Sequence, residues 1–258
     1  MVALPLLLLL LFKGPPIAAV VLIGAACAIG LVELFAMLAA GGIVPFRIAG
    51  MACAAALFLS IAWPGIALAP VLPAITVVLA AAALQRAKEM ATSVPAAAAS
   101  LFAVAYLGAL GGTLAALRTL PPHEDGAWRV TLLLAIVMTS DSCAYFAGSA
   151  FGRHKLAPRV SPGKTIEGLA GGLVGGVIAA LVVRRFGLPG VPLSAAIALG
   201  IVVAAFGVVG DLVESLLKRW SGVKDSGRLF PGHGGMLDRL DSLLFGAPVL
   251  YYYFLYAR

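Results

Sequence analysis

Residues 193–217 read LSAAIALGIVVAAFGVVGDLVESLL, and the eighteen from Leu193 to Gly210 carry no charge. A helix apolar on every side belongs in a protein core or in lipid. Crossing a bilayer takes roughly 20 mainly apolar residues, and runs of this kind recur along the chain, near 2–12, 16–39, 47–69, 71–85, 95–117, 130–150, 165–183, 193–217 and 240–256. Of 258 residues 62% are hydrophobic and 11% charged, with a mean hydropathy of +1.07. Soluble domains carry about 25% charged residues, so the composition names lipid as the solvent. A membrane β-barrel would alternate apolar and polar residues over about ten positions; these runs are continuously apolar. The expected fold is all-α, a polytopic integral membrane protein with eight or nine transmembrane helices and no separate extramembrane domain.

The chain divides by charge into an N-terminal group of helices, 1–126, read as scaffold and lipid-facing, and a C-terminal region, 127–258, read as catalytic, with loops 151–164 and 218–239. Basic residues mark the cytoplasmic side of a membrane protein. With nine spans and a cytoplasmic N-terminus, twelve of the eighteen Lys and Arg fall in inner loops, including all those of the two long basic loops. The Arg184–Arg185 pair lies on the other side and is the one objection to this orientation. The site is therefore expected to face the cytoplasm from a bacterial-type inner or plasma membrane. The start of the chain lacks the basic region of a secretory signal and is read as a retained apolar segment. Cys27, Cys53 and Cys143 have neither disulfide nor zinc spacing.

The net charge of +7 suits anionic headgroups or an anionic substrate. The acids sharpen the choice: four precede residue 126, scattered, and seven follow. Ionisable groups inside apolar segments mark function by default. Asp141 stands within such a run. Asp211, Glu214, Ser215 and Lys218 are offset by 0, 3, 4 and 7 and share a helical face. A Glu214–Lys218 ion pair would explain two of them and leave Asp211 unexplained. Asp238 and Asp241 share a face at the start of the last span, where the helix dipole favours acids. With Asp211 they also offer the hard oxygens that magnesium takes alongside substrate phosphates.

Between these helices, Lys224-Asp225-Ser226-Gly227-Arg228-Leu229-Phe230-Pro231-Gly232-His233-Gly234-Gly235 combines basic residues with glycines whose amides can cradle an anion. Ser161-Pro162-Gly163-Lys164-Thr165 imitates a P-loop but lacks its first glycine, with Pro158 in that place. Lys164 is still positioned to meet a phosphate. The helix that follows carries Gly168, Gly171, Gly172, Gly175 and Gly176, a small-residue spacing that signals close helix packing in lipid. None of the three histidines has metal spacing, and His233 is read as orienting backbone or phosphate.

The stretch from Ser215 to Ser242, with Lys218-Arg219, Lys224-Asp225 and Asp238-Arg239-Leu240-Asp241, resembles the signature of the phosphatidate cytidylyltransferase (CDP-diacylglycerol synthase) family. Asp141-Ser-Cys-Ala-Tyr145 and Ser161-Pro-Gly-Lys164-Thr165-Ile-Glu167 resemble two further blocks, so the likeness covers residues 141–242. Gly163 stands where the family usually has a second lysine, and Ile166 where it often has tryptophan.

The resemblance implies transfer of CMP from CTP to phosphatidic acid, giving CDP-diacylglycerol and pyrophosphate. It also implies a nine-helix fold, a homodimer among membrane lipids, and a two-metal centre of magnesium (Mg2+) with potassium (K+). Asp211, Asp238 and Asp241 are the metal ligands it suggests, catalytic together with Lys218. Asp141, Lys164, Ser215, Arg219, Lys224, Asp225, Arg228, His233, Gly234, Gly235 and Arg239 are the substrate-binding set. Two alternatives stay open on the residues alone: a CTP-dependent enzyme for another lipid, such as an ether-lipid cytidylyltransferase or a polyprenol kinase, and a transporter.

Overall fold

The computed structural model describes residues 3–63, 65–227 and 234–256. Helices follow the apolar runs closely: α1 Ala3–Lys13, α2 Pro16–Ala40, α3 Arg47–Ala62, α4 Leu68–Gln85, α5 Met90–Ala103 and α6 Leu110–Thr119. A π-helical turn, Val104–Ala109, joins α5 to α6 in one continuous rod. Then come α7 Gly126–Phe151, strands β1 Lys155–Ala157 and β2 Ser161–Thr165, and α8 Ile166–Phe186, α9 Leu193–Trp220 and α10 Leu237–Tyr256.

The class is that of an all-α polytopic membrane protein. Six helical segments among the described residues are long and apolar enough to cross a membrane: α2, α4, the rod 87–119, the segment 123–151, α8 and α9. A count of eight would need two of α1, α3 and α10, and a count of nine all three. The first two have 11 and 16 residues, and α10 begins with Asp238, Arg239 and Asp241 and contains Pro248. The two strands, the only ones among the described residues, form an antiparallel hairpin pairing Lys155 with Thr165 and Ala157 with Ser161. The P-loop look-alike is therefore extended strand rather than a phosphate-wrapping loop.

The chain forms two compact units. The first takes residues 1–19, 117–216 and 241–258, and the second residues 20–116 and 217–240. In the first, Leu133, Ile136, Ala180, Val203, Leu244 and Leu250 are fully buried. Arg129, 2% exposed, donates to the carbonyls of Leu120 and Pro121, pairs with Asp125 and stacks on Phe254. In the second, Leu34, Phe35, Leu107 and Val104 are buried, and Ser100 Oγ accepts the Phe46 amide at 2.8 Å.

The most extensive helix pair is α7 with α8, and the glycine stripe explains it. A Cβ on Gly168, Gly171, Gly172 or Gly175 would run into α7 at Ala144, Ala147, Ser140 or Cys143, and one on Gly176 would strike Gly200 and Ala204 of α9. The opposite face of α8 exposes Val174, Ile178 and Val182, four residues apart and suited to lipid. Replacing Gly175 with Val would press a side chain onto Cys143 Sγ, 2.7 Å from the Cβ position alone. Overpacking of this kind costs about 1–3 kcal/mol. Thermal unfolding in detergent should show Gly175→Val melting below wild type, with Gly190→Ala, which meets nothing within 4 Å, unchanged. Equal melting temperatures would contradict this packing.

Candidate active site

In the first unit, one cavity of about 570 Å³ collects charged residues from three elements: Asp141 on α7, Lys164 on β2 and Asp211 on α9. Tyr145, Ser161, Thr165 and Gly163 also line it. Lys164 Nζ lies 2.7 Å from Asp211 Oδ2, and Ser215 Oγ donates to Asp211 Oδ1 at 3.3 Å, one helical turn on. Asp141 feels both the repulsion of Asp211 and the attraction of Lys164. A lysine ammonium has three protons. With one directed at Asp211, two can serve an anion in the cavity.

The placing of Lys164 follows from its neighbours. Thr165 caps α8, its hydroxyl accepting the Gly168 amide at 3.0 Å, which ends the strand one residue after the lysine. Glu167, in the first turn of α8, reaches back to the hairpin. Its Oε2 accepts the amides of Arg153 and His154, and its Oε1 lies 2.6 Å from His154 Nδ1. Hairpin and helix are thus latched on both sides of Lys164. Sequence reasoning saw Glu167 as the end of a family-like block. The hairpin register that gives it partners is set by contacts 13 and 14 residues away.

In the second unit, Asp238 organises the segment before α10. Its Oδ1 accepts Lys218 Nζ at 2.6 Å. Its Oδ2 accepts the Ser226 amide at 3.1 Å, Ser226 Oγ at 2.7 Å and the Gly235 amide at 2.7 Å. Gly234 has φ +79, the left-handed region open to glycine without cost, and a Cβ there would strike Asp238. Two further expected residues, Lys224 and Asp225, are exposed, as is Arg219. Arg239 is exposed at the start of α10. Arg228 and His233 lie outside the described residues.

One acid that sequence reasoning passed over as scattered joins this cluster. Glu33, in α2 and 9% exposed, accepts from Ser226 Oγ, the Met236 amide and the Leu237 amide. An acid inside the apolar run 16–39 was the available signal.

Asp241 belongs to the first unit, where its Oδ1 accepts the Ser242 amide at 2.6 Å and its backbone packs against Gly210. Among the described residues no group of three or more His, Cys, Asp or Glu side chains is close enough to hold a metal ion. The carboxylates of Asp141 and Asp211 in one cavity do fit magnesium, which usually takes one or two protein carboxylates and completes its shell with substrate phosphates and water. Asp238 has both oxygens engaged by protein donors, so as a ligand it would exchange Lys218 for the cation.

Fold and site together define a polytopic helical membrane protein with a charged, anion-suited cavity at the ends of its apolar helices. The chain belongs to the cytidylyltransferase family, whose sequence model matches residues 1–257. It is 47% identical over 133 residues to the uncharacterized protein YnbB of Escherichia coli, covering 52% of this chain and 44% of that one. It is 43% identical over 135 residues to a phosphatidate cytidylyltransferase of Haemophilus influenzae, covering 51% and 47%. To a phosphatidate cytidylyltransferase of Bacillus subtilis it is 45% identical over 117 residues, covering 45% and 44%. The chain thus spans about half the length of the curated relatives it matches.

Proposed function

We propose that this protein transfers CMP from CTP to phosphatidic acid, forming CDP-diacylglycerol and pyrophosphate. The observation that carries the reading is the Lys164–Asp211 pair, with Asp141, in one cavity of a membrane protein of the cytidylyltransferase family. The names of two relatives supply the substrates.

The chemistry follows from charge. A phosphate monoester has its second pKa near 6 and is largely dianionic at neutral pH, so the attacking oxygen needs no strong base. It attacks the α-phosphorus of CTP; the bond to that phosphorus forms as the bond to the β-bridging oxygen breaks, and pyrophosphate leaves. The barrier is one of positioning and of charge on phosphoryl oxygens. Lys164 holds an anion in the cavity, oriented by Asp211. Lys218, Arg219, Lys224 and Arg228 supply positive charge for the triphosphate. Asp211 and Asp141 are the residues that would hold magnesium, which when bound would neutralise the attacking and leaving oxygens. Potassium as a second cation, a homodimer and a cytoplasmic opening complete the reading.

Purified protein in detergent or liposomes, given CTP, magnesium and phosphatidate, is expected to release CDP-diacylglycerol and pyrophosphate in equal amounts, and chelation of the metal to stop it. Offering ether-lipid and polyprenol acceptors in parallel distinguishes the lipid class by product mass. Absence of any CTP-dependent product would overturn the assignment, and nucleotide-free solute flux would favour a transporter.

A further inference from the structure

Glu33 lies seven residues before the C-terminal end of α2, about 10 Å along the helix. Its Oε2 accepts Ser226 Oγ at 3.2 Å and the Leu237 amide at 2.8 Å, and its Oε1 accepts the Met236 amide at 3.0 Å. One carboxylate therefore holds Ser226 beside the start of α10. The tie is close. A Cβ on Gly227 or on Gly235 would collide with the Glu33 carboxylate, so the backbone rests directly on it.

The chemistry is that of a helix cap supplied from another helix. Met236 and Leu237 stand at the start of α10, where amides lack intrahelical acceptors and the helix dipole favours an anion. Ser226 then links two carboxylates, its hydroxyl lying 3.2 Å from Glu33 and 2.7 Å from Asp238. A hydroxyl has one proton, so Ser226 shares it between them. Lys218 offsets the charge from the far side of Asp238.

We propose that Glu33 is a positioning residue for nucleotide binding. It holds Ser226 beside the start of α10, and through Ser226 it fixes the orientation of Asp238 and of Lys218, which supplies charge for the triphosphate. This rests on the cytidylyltransferase reading for the identity of the nucleotide, but not for the contacts themselves.

Two variants and two readouts test it. Glu33→Gln keeps the size of the side chain but places an NH2 against one of the two amide donors, Met236 or Leu237, loosening the start of α10. Glu33→Ala removes all three contacts. A hydrogen bond to a charged group is worth about 1.5–3 kcal/mol, so Glu33→Gln is expected to raise the KM for CTP roughly tenfold to hundredfold. The KM for the lipid should stay within about twofold of wild type, and Glu33→Ala should be more severe. A cap that served stability alone would lower the melting temperature and leave the KM of the folded fraction unchanged. Amide hydrogen exchange supplies the second readout, with at least one of Met236 and Leu237 expected to exchange at least about tenfold faster in Glu33→Gln and both in Glu33→Ala while Val104 and Leu107 of the same unit keep their rates. Should Glu33→Ala not fold, Ser226→Ala, which breaks only the bridge to Asp238, gives the same KM test. Wild-type KM for CTP in folded Glu33→Gln overturns the proposal, as do unchanged exchange rates at Met236 and Leu237. A wild type that makes no CDP-lipid overturns the activity reading instead, and exchange still decides whether Glu33 holds the start of α10.

Discussion

Asp211→Asn is expected to lower kcat/KM by a factor on the order of 10³ while the protein stays folded. The substitution keeps shape and volume and removes one negative charge, so what it deletes is the partner that aims Lys164 Nζ from 2.7 Å and one of two carboxylates suited to magnesium. Removing a single preorganised electrostatic group from an active site typically costs about 10²–10³ in rate, and Asp211 acts on both the lysine and the cation. A factor of 10³ corresponds to about 4 kcal/mol of barrier. Lys164→Met is expected to fall in the same range, and the double variant to lie close to the worse single one, because residues that act as a unit are not additive. Initial rates over a range of magnesium concentrations provide the check. Asp211→Asn should need more magnesium, and Lys164→Met should not. Turnover within about tenfold of wild type for Asp211→Asn would remove this cavity from the chemistry.

How far the sequence reaches is visible in particular elements. Helix α9 was expected over 193–217 and runs Leu193–Trp220, because a continuous apolar run bounded by proline and charge leaves little else for the backbone to do in lipid. The α8 glycines read correctly for the same reason: close helix approach admits only small side chains, and their spacing is local. The hairpin before α8 did not read. Ser161-Pro-Gly-Lys-Thr has turn composition and no alternation, and its extended form depends on pairing with 155–157 and on the Glu167 latch.

The candidate site was legible as a list and not as a geometry. Asp211 and Lys164 could each be singled out, one as an acid in an apolar helix and one as a base beside glycine, but nothing local says that they meet across 47 positions. Glu33 is the extreme case. Its partners stand 193 to 204 residues away, and its own neighbours are all apolar, so only the cost of an acid in an apolar helix pointed to it. The metal set shows the converse. Three aspartates with the right chemistry suggested one cluster, whereas Asp238 has four protein donors on its two oxygens.

Those four donors set up the second large effect. Lys218→Met is expected to destabilise the protein by about 3 kcal/mol, because Lys218 and Asp238 form a largely buried pair with side chains 17% and 12% exposed. Removing one partner of a buried ion pair typically costs about 3–5 kcal/mol, since the other charge is left in a poorly solvated place. Ser226 and Gly235 still donate to Asp238 Oδ2, which places the expectation at the lower end of that range. Asp238→Asn alone leaves the ammonium without its carboxylate and should cost a similar amount. Lys218→Met combined with Asp238→Asn should cost clearly less than the sum of the two, the coupling being the signature of direct contact. Lys218→Arg should recover only part of the loss, because a planar guanidinium does not reproduce a point charge at 2.6 Å from one oxygen. Chemical denaturation in mild detergent, fitted with a common slope for wild type and the four variants, measures each term. Strict additivity in the double variant would show that the two side chains stabilise the fold separately and that Asp238 is held by Ser226 and Gly235 alone.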